Sequence, residues 1–229
     1  MQFPSDIFSF FSDLKLNNNR DWFNTNKLRF KSLETQVKII GEGLKDKLNQ
    51  HDYIDRFKLF RIYRDVRFSN DKTPYKTHFG LSWQRLKPLY RGGYYLHLSP
   101  GNNFLACGFW NPNPSDLRRI RQEIDVDGRE YRSILNNNTF KNIWGELQGE
   151  AVKTAPNDYS KDHPHIDLLR FKQHIFKIKY NDDIVCETNF IDSLNRNLQI
   201  ARPFVDYMSE VLTTNADGES LVKETSLLI

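Results

Sequence analysis

The residues with the clearest chemical potential lie in one basic stretch, RIYRDVRFSNDKTPYKTHFG, which runs from Arg61 to Gly80. Guanidinium groups bind phosphates and carboxylates as a planar fork, and ammonium groups bind them as point charges. The Ser-Asn-Asp sequence at positions 69–71 favours Asx-type turns, which can gather backbone N–H groups into an anion nest. We therefore predict an anion-binding site whose ligand-binding residues include Arg61, Arg64, Arg67, Lys72 and Lys76.

Arg64 has a special place in this stretch. From Lys58 onward, apolar residues recur at alternate positions, which predicts a strand with Ile62 and Val66 on its apolar face and Arg64 between them. A guanidinium among apolar neighbours is costly unless it is paired or opens onto a cavity. Arg64 thus either binds an anionic ligand or forms a structural ion pair, for which the candidate partners are Asp71, Asp162, Asp167 and Glu187.

Two histidines could support acid–base chemistry. His97 lies in the predicted hairpin GGYYLHLSPGNNFLACGFW, and His163 lies in the segment YSKDHPHIDLLRFK. Histidine titrates near neutral pH without a large perturbation, so both are candidate catalytic residues. Tyr95, on the same predicted face as His97, and Asp162, beside His163, complete the candidate ligand-binding residues.

The predicted register of the hairpin gives these rings space. It pairs His97 with Ala106 and Tyr95 with Gly108. Small residues opposite a histidine and a tyrosine leave room for a ligand, or for a helix that packs on that face.

Several other chemistries have no sequence support. The nucleotide-binding patterns GxxxxGK[ST] and GxGxxG, the serine pattern GxSxG and the zinc pattern HExxH are all missing from the sequence. Cys107 and Cys186 form no CxxC pair, and we predict two reduced thiols in the core. The histidines and Asp162 could meet at a metal ion, but Asp162 equally fits a helix cap, so we predict no metal site and identify no cofactor.

The charge distribution indicates an anionic partner. Between Arg56 and Arg91, ten Lys and Arg residues face only Asp65 and Asp71, a local net charge of +8 in a chain whose overall net charge is +4. Single-stranded nucleic acid is a second possible partner, because aromatic residues that could stack on bases are interleaved with the basic ones: Tyr63, Tyr75, Phe79, Trp83 and Tyr90.

Hydrophobic periodicity predicts an α+β fold with a central antiparallel sheet, N-terminal helices and a C-terminal helical layer. We expect a single domain over residues 1–229, with N-terminal helices at about 3–50, a sheet-rich centre at about 58–110, and mixed helices and strands at about 115–212. Finer predictions are helices over 3–16, 22–50 and 190–212, the last divided near Pro203, an N-cap at Ser115, and strands at FKIKY and IVCE. No membrane-spanning run and no secretory signal is seen, so we expect a cytoplasmic protein that does not bind membranes.

The chain resembles the family known as domain of unknown function 2461, a set of conserved hypothetical bacterial proteins. The resemblance rests on NNNRDWF, FRIYRDVRFSNDKTPYK, the YYLHLSPG and CGFW halves of the hairpin, and DYSKDHP followed by LLRFK. It implies no activity, cofactor or substrate.

The leading hypothesis is that the protein binds an anionic, phosphorylated ligand in one pocket. Its walls would be the Arg61 to Lys76 segment, the face of Tyr95 and His97, and Asp162 with His163. Hydrolase or transferase chemistry could follow from such a site. The alternatives are a module that binds nucleic acid or an acidic protein, and a non-catalytic interaction protein.

Overall fold

Helices precede and follow a five-stranded antiparallel sheet in a computed structural model that describes residues 1–215 and 217–222. The strands are hydrogen-bonded in sequence order, β1 to β5. They are β1 (Ile54–Leu59), β2 (Phe79–Arg85), β3 (Gly93–Leu98), β4 (Asn103–Phe109) and β5 (His174–Tyr180). The helices are α1 (Asp6–Leu16), α2 (Arg20–Thr25), α3 (Lys27–Leu48), α4 (Pro114–Asp127), α5 (Arg129–Asn136), α6 (Asn138–Trp144), α7 (Ile166–Leu169), α8 (Asp182–Val185), α9 (Phe190–Ile200) and α10 (Arg202–Thr213). The predicted α+β class is confirmed.

The backbone groups into two compact units. Unit 1 comprises Met1–Trp83, Tyr95–Leu105 and Lys179–Arg196, and unit 2 comprises Gln84–Tyr94, Ala106–Ile178 and the described residues from Asn197 onward. This grouping does not test the single domain expected over residues 1–229, which stays a prediction.

Aromatic packing holds the helices of unit 1 against the sheet. Phe11 of α1 and Phe30 of α3 both contact Phe79 of β2, with ring centroids 4.9 and 5.7 Å apart. Phe23 of α2 stacks on Tyr75 at 4.1 Å. Because these rings are buried, they fix the connection that leads into β2 against the N-terminal helices.

In unit 2, the core is built around buried Tyr131. Its ring lies 5.5 Å from that of Tyr207, and its hydroxyl oxygen is 2.9 Å from Nδ1 of buried His174. Cys107 is also fully buried there, and burial raises the pKa of its thiol well above the ordinary value. Cys107 and Cys186 are both free thiols, but only Cys107 lies in the core as predicted, since Cys186 is half-buried.

The helix expected over residues 22–50 is divided in two. Asn19 begins α2, because its side-chain oxygen accepts a hydrogen bond from the backbone N–H of Trp22 at 2.9 Å. At the other end, Asn26 separates α2 from α3 and donates its side-chain amide to the Trp22 carbonyl at 2.9 Å. Asparagine favours such local bonds with the backbone, which compete with helix continuation.

Two further fine predictions were wrong, and one is confirmed. The segment IVCE is not a strand, because Ile184 and Val185 end the short helix α8. The N-cap of α4 is Asn113 rather than Ser115, since Pro114 occupies the first turn and the Asn113 side chain accepts from Asp116 N. The division of the last helix near Pro203 is confirmed, with Ala201 between α9 and α10.

The strand predicted from Lys58 onward was also wrong, since β1 ends at Leu59. Residues 60–78 form the connection to β2, which we call the basic loop. It doubles back on itself: Tyr63 and Tyr75 form an antiparallel bridge, and Arg64 N donates to Pro74 O at 2.9 Å. Between these points Asp65 and Asp71 bond to neighbouring backbone N–H groups, which replaces a regular ladder with turns.

The hairpin between β3 and β4 has a different register from the predicted one. Asn102 N donates to Ser99 O at 2.9 Å, and Gly101 has a positive φ of 66°, as a turn with Pro-Gly at its centre requires. Counting outward from this closed turn places His97 opposite Phe104, and the two rings stack with centroids 4.8 Å apart. The predicted pairing with Ala106 was two residues out.

Candidate functional site

Unit 1 contains a cleft of about 380 Å³ that opens beside the basic loop. Its wall carries three cations, Lys15 from the last turn of α1 and Arg64 and Lys76 from the basic loop. Among the described residues, Asp71 is the one carboxylate on the wall, and His78 contributes an imidazole. We call this feature the basic cleft. It has a formal net charge of +2 when His78 is neutral.

One part of the Arg64 guanidinium forms a structural tie. Its Nη1 lies 2.5 Å from a carboxylate oxygen of Asp71 and donates to the carbonyl and hydroxyl oxygens of Thr73. Within the described residues, Nη2 and Nε make no hydrogen bond. The structural interpretation of Arg64 is therefore confirmed with Asp71 as the partner, while two of its three nitrogens stay available to a ligand.

The predicted Asx turn forms at Asp71. Its Oδ1 accepts hydrogen bonds from the backbone N–H and the hydroxyl of Thr73, at 2.9 and 2.8 Å. These bonds, first the one from the Thr73 backbone and then the one from Arg64, lower the pKa of Asp71 to about 2. Asp71 is therefore ionised at neutral pH, and it uses the Thr73 N–H that an anion nest would have offered.

Lys76 is held among other cations. Its Nζ donates to the Arg61 carbonyl at 3.0 Å and lies 5.7 Å from the centre of the Phe60 ring. Lys58 approaches the same ring at 4.8 Å. Desolvation first, and then the charges of Arg61 and Lys58, lower the pKa of Lys76. The folded protein thus destabilises the Lys76 ammonium, and an anion bound beside it would relieve that repulsion.

The imidazole ring of His97 packs against that of His78 beside the wall of the basic cleft. The centroids of His78 and His97 are 4.2 Å apart, and the Tyr95 hydroxyl oxygen is 3.1 Å from His97 Nδ1. Burial lowers the pKa of each histidine to about 4, with a smaller contribution from Lys76 for His78 and from His78 for His97. Burial also raises the pKa of Tyr95 to about 12. All three rings are therefore neutral at pH 7.

Three of the candidate ligand-binding residues lie on the basic loop but not on the cleft wall. Arg67 is exposed and pairs with its neighbour Asp65 at 2.7 Å. Lys72 donates to the Val66 carbonyl at 3.0 Å, and Arg61 is exposed. Local bonds thus account for Arg67 and Lys72, whereas Arg64 and Lys76 face the same space.

Two further candidates, Asp162 and His163, belong to unit 2. Nε2 of His163 is 3.0 Å from a carboxylate oxygen of Asp125, and its Nδ1 accepts the backbone N–H of His165 at 3.0 Å. Asp162 is exposed. Both ring nitrogens of His163 are thus engaged in local hydrogen bonds, and its catalytic role stays a prediction.

Sequence reasoning did not identify Lys15 and Asn18 as cleft residues. Asn18 exchanges two hydrogen bonds with the backbone of Tyr75, donating to its carbonyl at 2.9 Å and accepting from its N–H at 3.1 Å. This pair of bonds fixes the basic loop against the end of α1. The run NNNRDWF was a signal for it, since all three of its asparagines bond to backbone groups, but the partner of Asn18 lies 57 residues away.

A family model described as "Conserved hypothetical protein (DUF2461)" matches residues 6–207, so the chain belongs to this family. No curated protein and no solved structure matches this chain. Of the helices that the structure describes, none has the length and apolar character needed to cross a lipid bilayer.

Proposed function

We propose that this member of the DUF2461 family binds an anionic, phosphorylated small molecule in the basic cleft. The observation that carries the proposal is the charge of the wall, where Lys15, Arg64 and Lys76 share one space with a single carboxylate, Asp71. The Lys76 ammonium is held there at a cost, from desolvation first and then from Arg61 and Lys58, which a bound anion would offset.

Phosphate suits this arrangement better than a carboxylate. A phosphate monoester carries between one and a half and two negative charges at neutral pH and three acceptor oxygens. The net charge of +2 on the wall matches that charge. Arg64 can offer Nη2 and Nε as a fork, and Lys76 keeps donors beyond the one that bonds the Arg61 carbonyl.

The same cleft supplies groups for hydrolysis or group transfer. His78 lies on the wall as a neutral imidazole that can accept a hydrogen bond from water or from a substrate hydroxyl, and its pKa of about 4 makes it a weak general base. His97 packs against it and is oriented by the Tyr95 hydroxyl, which suits His97 to a positioning role. Lys76 and Arg64 would stabilise negative charge as it develops on the phosphoryl oxygens.

The alternative of a nucleic-acid binding module has less support. Of the five aromatic residues proposed to stack on bases, Tyr75, Phe79 and Trp83 are buried in the core of unit 1. A non-catalytic interaction protein is favoured by one observation, the side chain of Phe68, which is 97% exposed in the turn of the basic loop.

The proposal can be tested by a thermal-shift screen with phosphate monoesters, nucleotides, single-stranded oligonucleotides and divalent metals. The variants are Lys76→Gln and the matched control Arg67→Gln, a basic-loop residue outside the cleft wall. We expect one class of phosphorylated compound to stabilise the wild type and the control but not Lys76→Gln. Stabilisation by oligonucleotides alone, with a steep salt dependence, would support the alternative instead.

A further inference from the structure

A second hollow, of about 320 Å³, adjoins the basic cleft in unit 1. The two hollows share Lys15 and Thr77 on their walls, so they meet along one border. The second hollow is completed by Ser12, Leu16, Ser99 and Pro100. We call it the neutral hollow, because Lys15, at the shared border, is the only charged residue that lines it within the described part of the chain.

The neutral hollow offers mainly apolar surface, with the hydroxyls of Ser12 and Thr77 among its neutral polar groups. Leu16, the last residue of α1, is 85% exposed there. The Ser99 hydroxyl donates to the Thr77 carbonyl at 3.1 Å, and the Ser99 N–H donates to the Asn103 side chain at 3.0 Å. Pro100 has no N–H to offer. A ligand group in this hollow would therefore gain by covering carbon atoms.

We propose that the two hollows form one bipartite site, whose ligand is a phosphate monoester carrying a short, uncharged and mainly apolar organic group. This inference rests on the proposed function, because it takes the basic cleft as the place of the phosphate. The organic group extends from the phosphate past the border formed by Lys15 and Thr77, and it covers Leu16 and Pro100. Molecules with a second anionic group at the far end fit less well, since the residues that the structure describes place no cation in the neutral hollow beyond the border.

The ligand class can be tested by isothermal titration calorimetry with inorganic phosphate and with methyl, butyl and hexyl phosphate. We expect affinity to increase along the series, by roughly twofold for each methylene that enters the neutral hollow, because an open hollow buries only part of each group. Leu16→Ser should flatten this increase and leave the affinity for inorganic phosphate unchanged. The matched control is Leu28→Ser, an 87% exposed leucine outside both hollows.

The outcomes separate this inference from the proposal beneath it. If phosphate binds and Lys76→Gln weakens it, but the chain length has no effect, the bipartite site is wrong and the basic cleft stands. If none of the four compounds binds, both fail. If the series behaves as expected, vesicles of phosphatidylcholine with phosphatidic acid identify the source of the ester: binding that Leu16→Ser reduces indicates a lipid headgroup, and no binding indicates a soluble metabolite.

Discussion

The imidazole rings of His78 and His97 lie against each other beside the basic cleft, with centroids 4.2 Å apart and planes tilted by 32°. Phe104 covers the other face of His97. Because the pair is largely withdrawn from water and Lys76 is close, both rings are held in the neutral form. The consequence is a pH dependence of folding that belongs to this pair.

The first prediction concerns that pH dependence. The pKa of each ring is about 4 in the folded protein and about 6.5 in the unfolded chain, so the unfolded chain binds more protons between these values. The contribution of these two rings to the free energy of unfolding should therefore be complete above pH 6.5 and should be lost as the pH falls towards 4. His97→Phe, which can still stack on Phe104, should reduce the slope by up to about 1.4 kcal/mol per pH unit.

Urea denaturation at a series of pH values measures this slope. His174, whose pKa burial lowers to about 3, remains in both proteins and cancels in the comparison. An unchanged slope in His97→Phe would show that His97 is not held neutral by its surroundings.

The second prediction concerns the stability of Lys76→Gln. The pKa of Lys76 is lowered by desolvation and by Arg61 and Lys58, so folding disfavours its charged form. Replacing it with a neutral side chain should leave the melting temperature equal or higher at pH 7. A clear loss of stability in a thermal melt would mean that Lys76 serves the fold rather than a ligand.

The third prediction concerns Asp71→Asn. An asparagine can keep the side-chain oxygen that accepts from Thr73, while the negative charge leaves the cleft. Phosphate affinity measured by calorimetry at low salt should increase severalfold, because the one competing carboxylate is gone. Asp65→Asn is the control, since Asp65 pairs with exposed Arg67 away from the cleft wall. Equal effects of the two substitutions would point to general charge rather than to a site.

The fourth prediction concerns the close contact between Gly80 and Tyr95. A Cβ atom on residue 80 would lie 2.8 Å from the Tyr95 hydroxyl oxygen and 3.3 Å from the Phe60 ring. Gly80→Ala should therefore cost about 1–3 kcal/mol of unfolding free energy, as overpacking does. Tyr95→Phe removes the clashing oxygen, so adding it to Gly80→Ala should recover part of that cost. If the double variant is as unstable as the sum of both single variants predicts, the contact is not the cause.

Local signals in the sequence predicted the element types better than their exact bounds. The hairpin GGYYLHLSPGNNFLACGFW and the strand at FKIKY depend on signals that act within a few residues, and both appear in the structure, as β3 with β4 and as β5. The alternation near Lys58 was misleading because it continued past Leu59 into a segment where Asp65 and Asp71 bond to the backbone. Such side-chain bonds compete with the backbone hydrogen bonds of a strand, and the spacing of apolar residues does not indicate which of the two will form.

The cleft itself depends on contacts between distant parts of the chain. Arg64 and Lys76 could be predicted because they lie in one basic stretch, and Asp71, which pairs with Arg64, was one of four candidate partners. Lys15 joins them only because Asn18 holds the Tyr75 backbone at the end of α1. A contact between residues that are 57 positions apart in the sequence brings these groups together, and no local sequence pattern predicts it.

The most direct test of the account is calorimetric titration of phosphate into three proteins: the wild type, Lys76→Gln and Arg67→Gln. We predict that Lys76→Gln weakens binding by about tenfold or more, as the loss of a charge-assisted hydrogen bond does, while Arg67→Gln changes it by less than about twofold. Equal losses in both variants, or no phosphate binding to the wild type, would contradict an anion site in the basic cleft.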